Sequence, residues 1–525
     1  MTFDSPGTRR LILCVIALGL ALSLNAVASG YFIDDAYISF HYADNLARDG
    51  SLYYNRGEQG PFGYTNPLYV FLLAAVRWAS SGTIANEVTA RGIGCLSLAA
   101  ILATVLWAIA EQPGRRGWSS KLVSGGLALL FFFLFPHLLP NFFSGLETGL
   151  FTLCLFAMIL PVRGPREEIR FLVALAAALS LRLDSVVLVL PLLGVYALDA
   201  LRQSSPGRLL RLGYSFLAAG LIGLVQVAVA GFWMPLSFYQ KRTAFSLQTL
   251  WSYETFCLLV IAPLLVITWR RTAPYLAGLA ILYPLSVSLF YSFFMPWMFK
   301  RYVFPAAFAL SAALLLAFFK LDPRRHRREL ALLCVYVLVA FPAGALEGYS
   351  WISGYRVAML STRRIADAMN AAELPLRDRT IATQDAGYLP YRTDWRLLDL
   401  LGLTTPEVLS EDVSGAVRRL SPAVLILNAP NARQPGDLKL SSRLGRPAEP
   451  IPAEYLFVKH LPLTNRYWWP EVDYGYFIFV NRKANPRLVL GLENISVDVE
   501  KEIGWQKHGF RILRNLAALG KGSVP

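Results

Sequence analysis

Residues 9–42 read RRLILCVIALGLALSLNAVASGYFIDDAYISFHY. Two arginines, Arg9 and Arg10, precede an unbroken apolar run over 11–29, and two adjacent carboxylates, Asp34 and Asp35, follow it. The run is long enough to cross a hydrocarbon core about 30 Å thick. The arginines put its N-terminal end in the cytoplasm by the positive-inside rule. In outline it is like a signal peptide, but a small-x-small cleavage site with a clear mature start is missing and more apolar runs follow. It reads as a retained first span, so the two carboxylates emerge on the outer face of a membrane.

The rest of the chain continues the pattern. Of its 525 residues, 55% are hydrophobic, above the roughly 45–50% of a soluble domain, and the excess falls in runs. Further apolar runs lie at about 88–110, 122–139, 148–162, 171–183, 185–201, 212–231, 253–268, 274–294, 302–319 and 330–345, giving about 11 spans in all. The two runs flanking Arg182 are short. Alternate loops are basic: Arg115, Arg116 and Lys121; Arg163, Arg166 and Arg170; Arg202, Arg208 and Arg211; Arg270 and Arg271; Lys320 and Arg324 to Arg328. These loops are expected to be cytoplasmic. An odd number of spans that starts inside ends outside. The net charge of +15 is accounted for by these loops, so nucleic acid is not an expected partner. The five cysteines all fall in apolar runs, which argues against a disulfide framework or a zinc site.

The expected organisation is a transmembrane domain over 1–347, with a long first outer loop at 30–87, and an aqueous α/β domain over 348–525. Within the first loop, 66–80 is apolar but too short to span, as an interfacial or re-entrant helix would be. In the tail, 357–371 reads as an amphipathic helix, and 380–383, 424–427 and 476–480 read as strands. Neither a G-x-G-x-x-G nor a phosphate loop is present, so no nucleotide is assigned.

The outer loops hold the chemically informative residues. Asp34 and Asp35 open a predicted helix, where carboxylates either cap the N-terminus or serve as acids and bases. Helical spacing puts Tyr37 and His41 on the side of Asp34. Two outer stretches break the positive-inside pattern: Pro235-Leu236-Ser237-Phe238-Tyr239-Gln240-Lys241-Arg242 and Met295-Pro296-Trp297-Met298-Phe299-Lys300-Arg301-Tyr302. Their cations suit either a phosphate or lipid headgroups. Arg182 and Asp184 interrupt an apolar stretch, as a functional pair or a structural salt bridge would. Glu147, in Ser144-Gly145-Leu146-Glu147-Thr148, fits a helix cap or a site acid. Paired carboxylates are also what a hard divalent cation takes, but no ligand set accompanies them, and no cofactor is assigned.

Together these stretches resemble the GT-C superfamily of polyprenyl-phosphate-dependent glycosyltransferases. The nearest resemblance is to the terminal β-(1→2) arabinofuranosyltransferase group of cell-wall arabinan synthesis. The motifs that carry it are Asp34 to Phe40, Gly63-Tyr64-Thr65-Asn66-Pro67-Leu68, Ser144 to Thr148, Pro235 to Lys241 and Arg301-Tyr302-Val303-Phe304-Pro305. In the tail they are Thr383-Gln384-Asp385-Ala386-Gly387 and Leu398-Asp399-Leu400-Leu401-Gly402-Leu403. The resemblance implies a bacterial inner-membrane enzyme with its C-terminal domain periplasmic or extracellular. It implies a polyprenyl-phosphate sugar donor such as decaprenyl-phosphoryl arabinofuranose, and an envelope glycan acceptor. Asp34 would be the catalytic base and Asp35 would orient it or bind acceptor. Lys241, Arg242 and Arg301 would hold the donor phosphate. Tyr37, His41, Tyr64, Asn66, Glu147, Arg182, Asp184 and Tyr239 would support the site or the acceptor, with Tyr388, Trp395, Trp468 and Trp469 either stacking on glycan or packed in the core. Related scaffolds serve other sugars on protein or lipopolysaccharide, and a lipid or glycan transporter is the reading from another class.

Overall fold

The computed structural model describes residues 6–58, 62–111, 125–126, 128–132, 135, 137–160, 162, 164–230, 299–319, 327–405, 408, 412–428, 434–440, 449–462 and 475–497. The expected spans at 253–268 and 274–294, and the expected site residues Tyr239, Lys241 and Arg242, lie outside these, as do Trp468 and Trp469. The chain forms two compact units. The first is Met1–Tyr349 with Leu401–Ser410, and the second is Ser350–Leu400 with Glu411–Pro525. The boundary near residue 349 falls inside the helix Arg327–Ala371.

Unit 1 is helical. Four described helices are long and apolar enough to cross a bilayer: Gly7–Val27, Asn86–Ala110, Ser185–Arg202 and Gly207–Val229. The first helix, α1 (Pro6–Val27), packs along α4 (Asn86–Ala110). Between them come α2 (Asp34–Asp49) and α3 (Pro67–Ala79). Local sequence sets the bounds of both. Asp34 and Asp35 occupy the first turn of α2 and Arg48 its last, which suits the helix dipole. Gly50, at φ 65°, closes it by donating its N–H to the Leu46 carbonyl. Pro67 opens α3, where a missing N–H costs nothing. The apolar runs at 148–162, 171–183, 185–201 and 302–319 appear as helices Thr148–Ile159, Pro165–Leu181, Ser185–Arg202 and Phe299–Phe319. Between the second and third, Arg182 takes extended backbone angles and breaks the helix.

An aromatic core joins these helices. The Phe308 ring lies 4.8 Å from that of Phe135 and 5.4 Å from that of Phe142, centroid to centroid. The helix Leu138–Phe142 packs tightly on α4 at Gly94, where an added Cβ would overlap the Phe142 carbonyl oxygen.

Unit 2 is an α/β domain. Its main sheet has the order β2-β1-β3-β7-β6, with β1 (Thr380–Thr383), β2 (Arg396–Asp399), β3 (Val424–Asn428), β6 (Tyr455–Pro462) and β7 (Gly475–Asn481). The pair β4 (Lys439–Leu440) and β5 (Glu449–Pro450) forms a separate ribbon. β1 pairs in parallel with β2 and β3, while β7 runs antiparallel to β3 and β6. Every residue of β7 is buried. Each large apolar side chain removed from water contributes about 1.5–3 kcal/mol, which makes this strand the spine of the domain. At the carboxyl ends of β1 and β3, the Asp385 carboxylate accepts from Asn428 Nδ2 at 3.0 Å and from the Tyr476 hydroxyl. Tyr388 and Trp395, considered above as stacking surfaces, are 6% and 3% exposed and belong to the core of this domain.

Candidate active site

The start of α2 is fixed from three sides. Arg91, on α4, donates to Asn25 Oδ1 at 3.0 Å, to the Ala28 carbonyl at 2.9 Å and to the Tyr31 carbonyl. Its guanidinium also lies over the Phe32 ring, 4.4 Å from the centroid. The Ile33 N–H donates to the Ser144 carbonyl at 3.1 Å. Gly145, at φ 87°, fits under Phe32 and Ala36, where a Cβ would come within 2.9 Å of the Ala36 methyl. The other end of α2 is held by Asp44, whose carboxylate takes Arg77 Nε at 3.0 Å and Asn86 Nδ2 at 2.8 Å. Burial pushes the Asp44 carboxyl above its ordinary range, outweighing Arg77 and Asn86.

Neither carboxylate of the pair is the N-cap. That position is Ile33, and no side chain caps the helix. Asp34 and Asp35 are instead the first two helical residues. Asp35 Oδ2 meets Arg301 Nη1 at 2.8 Å, with the two side chains 38% and 23% exposed respectively. The pair is therefore open enough to meet a ligand.

Arg301 also lies over the ring of Tyr302, 5.3 Å from its centroid, and Arg182 lies over the same ring at 4.4 Å. Arg182 is held by Asp184 through Nε at 3.1 Å and Nη2 at 2.7 Å. Only 3% of the Arg182 side chain is exposed, which suits a neutralised, planar ion pair. The Leu183 N–H donates to the Thr65 carbonyl at 3.2 Å, tying this turn to the 62–66 loop. In that loop Asn66 donates to Glu147 at 2.7 Å and exchanges hydrogen bonds with Ser39 on α2 at 3.1–3.2 Å. Glu147 stands at the N-cap of its helix without capping it by its side chain. The Tyr69 hydroxyl donates to the Gly145 carbonyl at 2.8 Å. Burial, with Glu147 nearby, holds that phenol well above its ordinary pKa, so it remains a donor.

The structure thus brings Asp34, Asp35, Asn66, Glu147, Arg182, Asp184 and Arg301 to one end of the helices of unit 1. Tyr37 and His41 make other contacts on α2. Tyr37 is buried edge-on to Phe32 and Phe40, and His41 Nε2 is 2.9 Å from the Tyr54 carbonyl. Both shape the loop. Tyr64 is buried beside Tyr42, with its hydroxyl lacking a hydrogen-bond partner among the described residues. Arg91 is not among the residues singled out from sequence, and Ser144 lies in the quoted 144–148 stretch with no role of its own assigned. Arg91 had a signal, since it is another cation at the outer end of an apolar run. Ser144 acts through its carbonyl, which leaves no trace in sequence. Among the described residues no cluster of three or more His, Cys, Asp or Glu gathers for a metal.

Helices and site define a polytopic membrane protein with a carboxylate–guanidinium pair at the start of α2. Comparison with known proteins places that architecture. The crystal structure of ArnT from Cupriavidus metallidurans bound to undecaprenyl phosphate matches with a TM-score of 0.54 at 14% identity, covering 90% of this chain and 99% of that one. The apo form matches with a TM-score of 0.53 at 15% identity, covering 92% and 100%. The likeness is one of fold: a polytopic helical membrane protein with a C-terminal α/β domain. A family described as a domain of unknown function, DUF8728, matches residues 354–479. No curated protein matches the sequence.

Proposed function

We propose that the chain is a glycosyltransferase that moves a sugar from a polyprenyl-phosphate donor to an envelope glycan on the outer face of the inner membrane. The observation that carries this reading is the Asp35–Arg301 pair beside Asp34. It joins a carboxylate suited to general-base work with a cation suited to a lipid phosphate. The likeness to ArnT, solved with undecaprenyl phosphate, supports the same reading.

In the reaction, the acceptor hydroxyl oxygen attacks the anomeric carbon and the bond from that carbon to the phosphate oxygen breaks. Asp34 takes the hydroxyl proton, and the lipid phosphate leaves as an anion. A positioned base contributes about 10²–10⁴-fold to such a step. Arg301, oriented by Asp35, offers further N–H groups of its fork to the departing charge. Lys241 and Arg242 would add to the phosphate site. D-arabinofuranose, carried on decaprenyl phosphate, is the sugar the sequence resemblance favours.

The test uses purified protein in nanodiscs with radiolabelled decaprenyl-phosphoryl arabinofuranose, a panel of other polyprenyl-phosphate sugars and arabinan oligosaccharides. Labelled product and released lipid phosphate are expected with the arabinose donor. Transfer from another donor alone would overturn the sugar, and no transfer from any would overturn the enzyme. Reporter fusions that put the 33–37 stretch in the cytosol would overturn the outer-face placement.

A further inference from the structure

The chain returns once from its second unit to its first. Leu401–Ser410 belongs to unit 1, although the residues on both sides of it belong to unit 2. Within unit 1 this segment lies against Gly63. A Cβ on Gly63 would overlap the Leu403 carbonyl oxygen and stand 2.8 Å from Thr404 Cγ2. Because the nearest atom is backbone, no rotamer change relieves that approach. Thr404 and Thr405 are buried as deeply as core residues.

Gly63 is also tied to α2, where its N–H donates to the Tyr42 hydroxyl at 2.8 Å. The next residues of the same loop reach the other parts of the site. Tyr64 packs on Tyr42 with ring centroids 4.7 Å apart. Thr65 accepts from Leu183, and Asn66 bonds to Ser39 and Glu147. Loop 62–66 therefore joins α2, the Arg182–Asp184 turn and the Glu147 helix, and the 401–405 segment is packed against it at Gly63.

We infer that Leu403 and Thr404 are positioning residues: they brace the 62–66 loop, and the loop holds α2 with Asp34 and Asp35. Removing the brace frees the loop to shift, and α2 follows through Tyr42 and Ser39. The catalytic consequence rests on the proposed transferase reaction; the brace itself does not.

The experiment compares hydrogen exchange in the full-length protein for Gly63→Ala, Tyr42→Phe and the control Gly92→Ala, whose added methyl meets nothing within 4 Å. Gly63→Ala is expected to speed exchange about tenfold at 403–405, 64–66 and the first turn of α2, a local opening short of global unfolding. Tyr42→Phe, a milder change, should speed exchange in α2 and the loop. Gly92→Ala should alter none of these. Unchanged protection at 403–405 in Gly63→Ala overturns the brace. Faster exchange there with none in α2 under either variant overturns the positioning. In the transfer assay, Gly63→Ala should lower kcat, by as much as roughly 10²-fold, with the KM for lipid donor unchanged. A matched rise in KM alone overturns the catalytic part. Absence of transfer by the unsubstituted protein would count against the transferase reading, and the exchange pattern would still decide the brace.

Discussion

Arg301 and Asp35, 266 positions apart in the chain, meet with Nη1 2.8 Å from Oδ2. Both side chains keep some contact with solvent, which screens the pair and limits what it adds to stability. Arg182, which lies over the same Tyr302 ring, has the opposite character: it is buried and paired with Asp184. Of the two guanidiniums, Arg301 is the more exposed, and the proposed reaction gives it the ligand while Arg182 holds its place through Asp184.

Arg301→Ala should therefore leave thermal unfolding in detergent nearly unchanged while lowering kcat/KM for the lipid donor by roughly 10²-fold, the cost of losing one charge-stabilising donor. Arg301→Lys should recover part of the rate, because the charge remains and the planar fork does not. A large fall in Tm with unaltered kinetics would make Arg301 a structural residue.

Asp34→Asn should give a folded, membrane-inserted protein with transfer reduced about 10²–10⁴-fold. The lost charge at the first turn of α2 removes only about 0.3–1 kcal/mol of dipole interaction. Near-normal turnover in this variant would take the base role from Asp34.

The described helices of unit 1 were legible because apolar length is a property of composition. The strands 380–383, 424–427 and 476–480 were legible because each is a short β-branched or aromatic run, and the structure extends two of them by one residue or more. β6 was not, because Tyr455–Pro462 mixes Lys459 and His460 into its apolar residues and carries a register shift between Phe457 and Lys459. Such an edge strand is disguised by the same features that keep it from pairing with other chains. In the site, charged residues were visible as charges in unusual places. Their partners were not: nothing local in sequence links Asn66 to Glu147 or Arg301 to Asp35. Backbone carbonyls such as those of Ser144 and Leu403 leave no signature at all.

Asn66 and Glu147 make a buried contact of 2.7 Å, 81 positions apart. Asn66→Ala should cost about 1–3 kcal/mol, since it strips a donor from a buried carboxylate. Glu147→Gln keeps an acceptor oxygen for Asn66 and should cost less. Thermal unfolding of both variants checks the order. Transfer by Glu147→Gln separates its two roles: retained activity marks a packing residue, and lost activity with an intact Tm marks a site acid.

The helix Pro165–Leu181 carries the Arg182 turn at its end and Glu168 near its start, about 20 Å away along the axis. Glu168 accepts from the Tyr196 hydroxyl at 2.7 Å and from Arg211 Nε at 3.0 Å, with Arg208 Nε at 3.8 Å. Arg208 also binds Asp199 at 3.0 Å. This cluster ties three helices together. Glu168→Ala should destabilise the protein by about 1–3 kcal/mol, the cost of leaving the buried Tyr196 hydroxyl without its acceptor, because Arg208 keeps Asp199 and Arg211 is half exposed. Glu168→Gln, which still accepts from Tyr196, should lose less. The distance predicts that folded Glu168→Ala retains its kcat while its Tm falls. If kcat fell and Tm held, the clamp at this end and the chemistry at the other would be coupled through the helix, and the view of Glu168 as purely structural would be wrong.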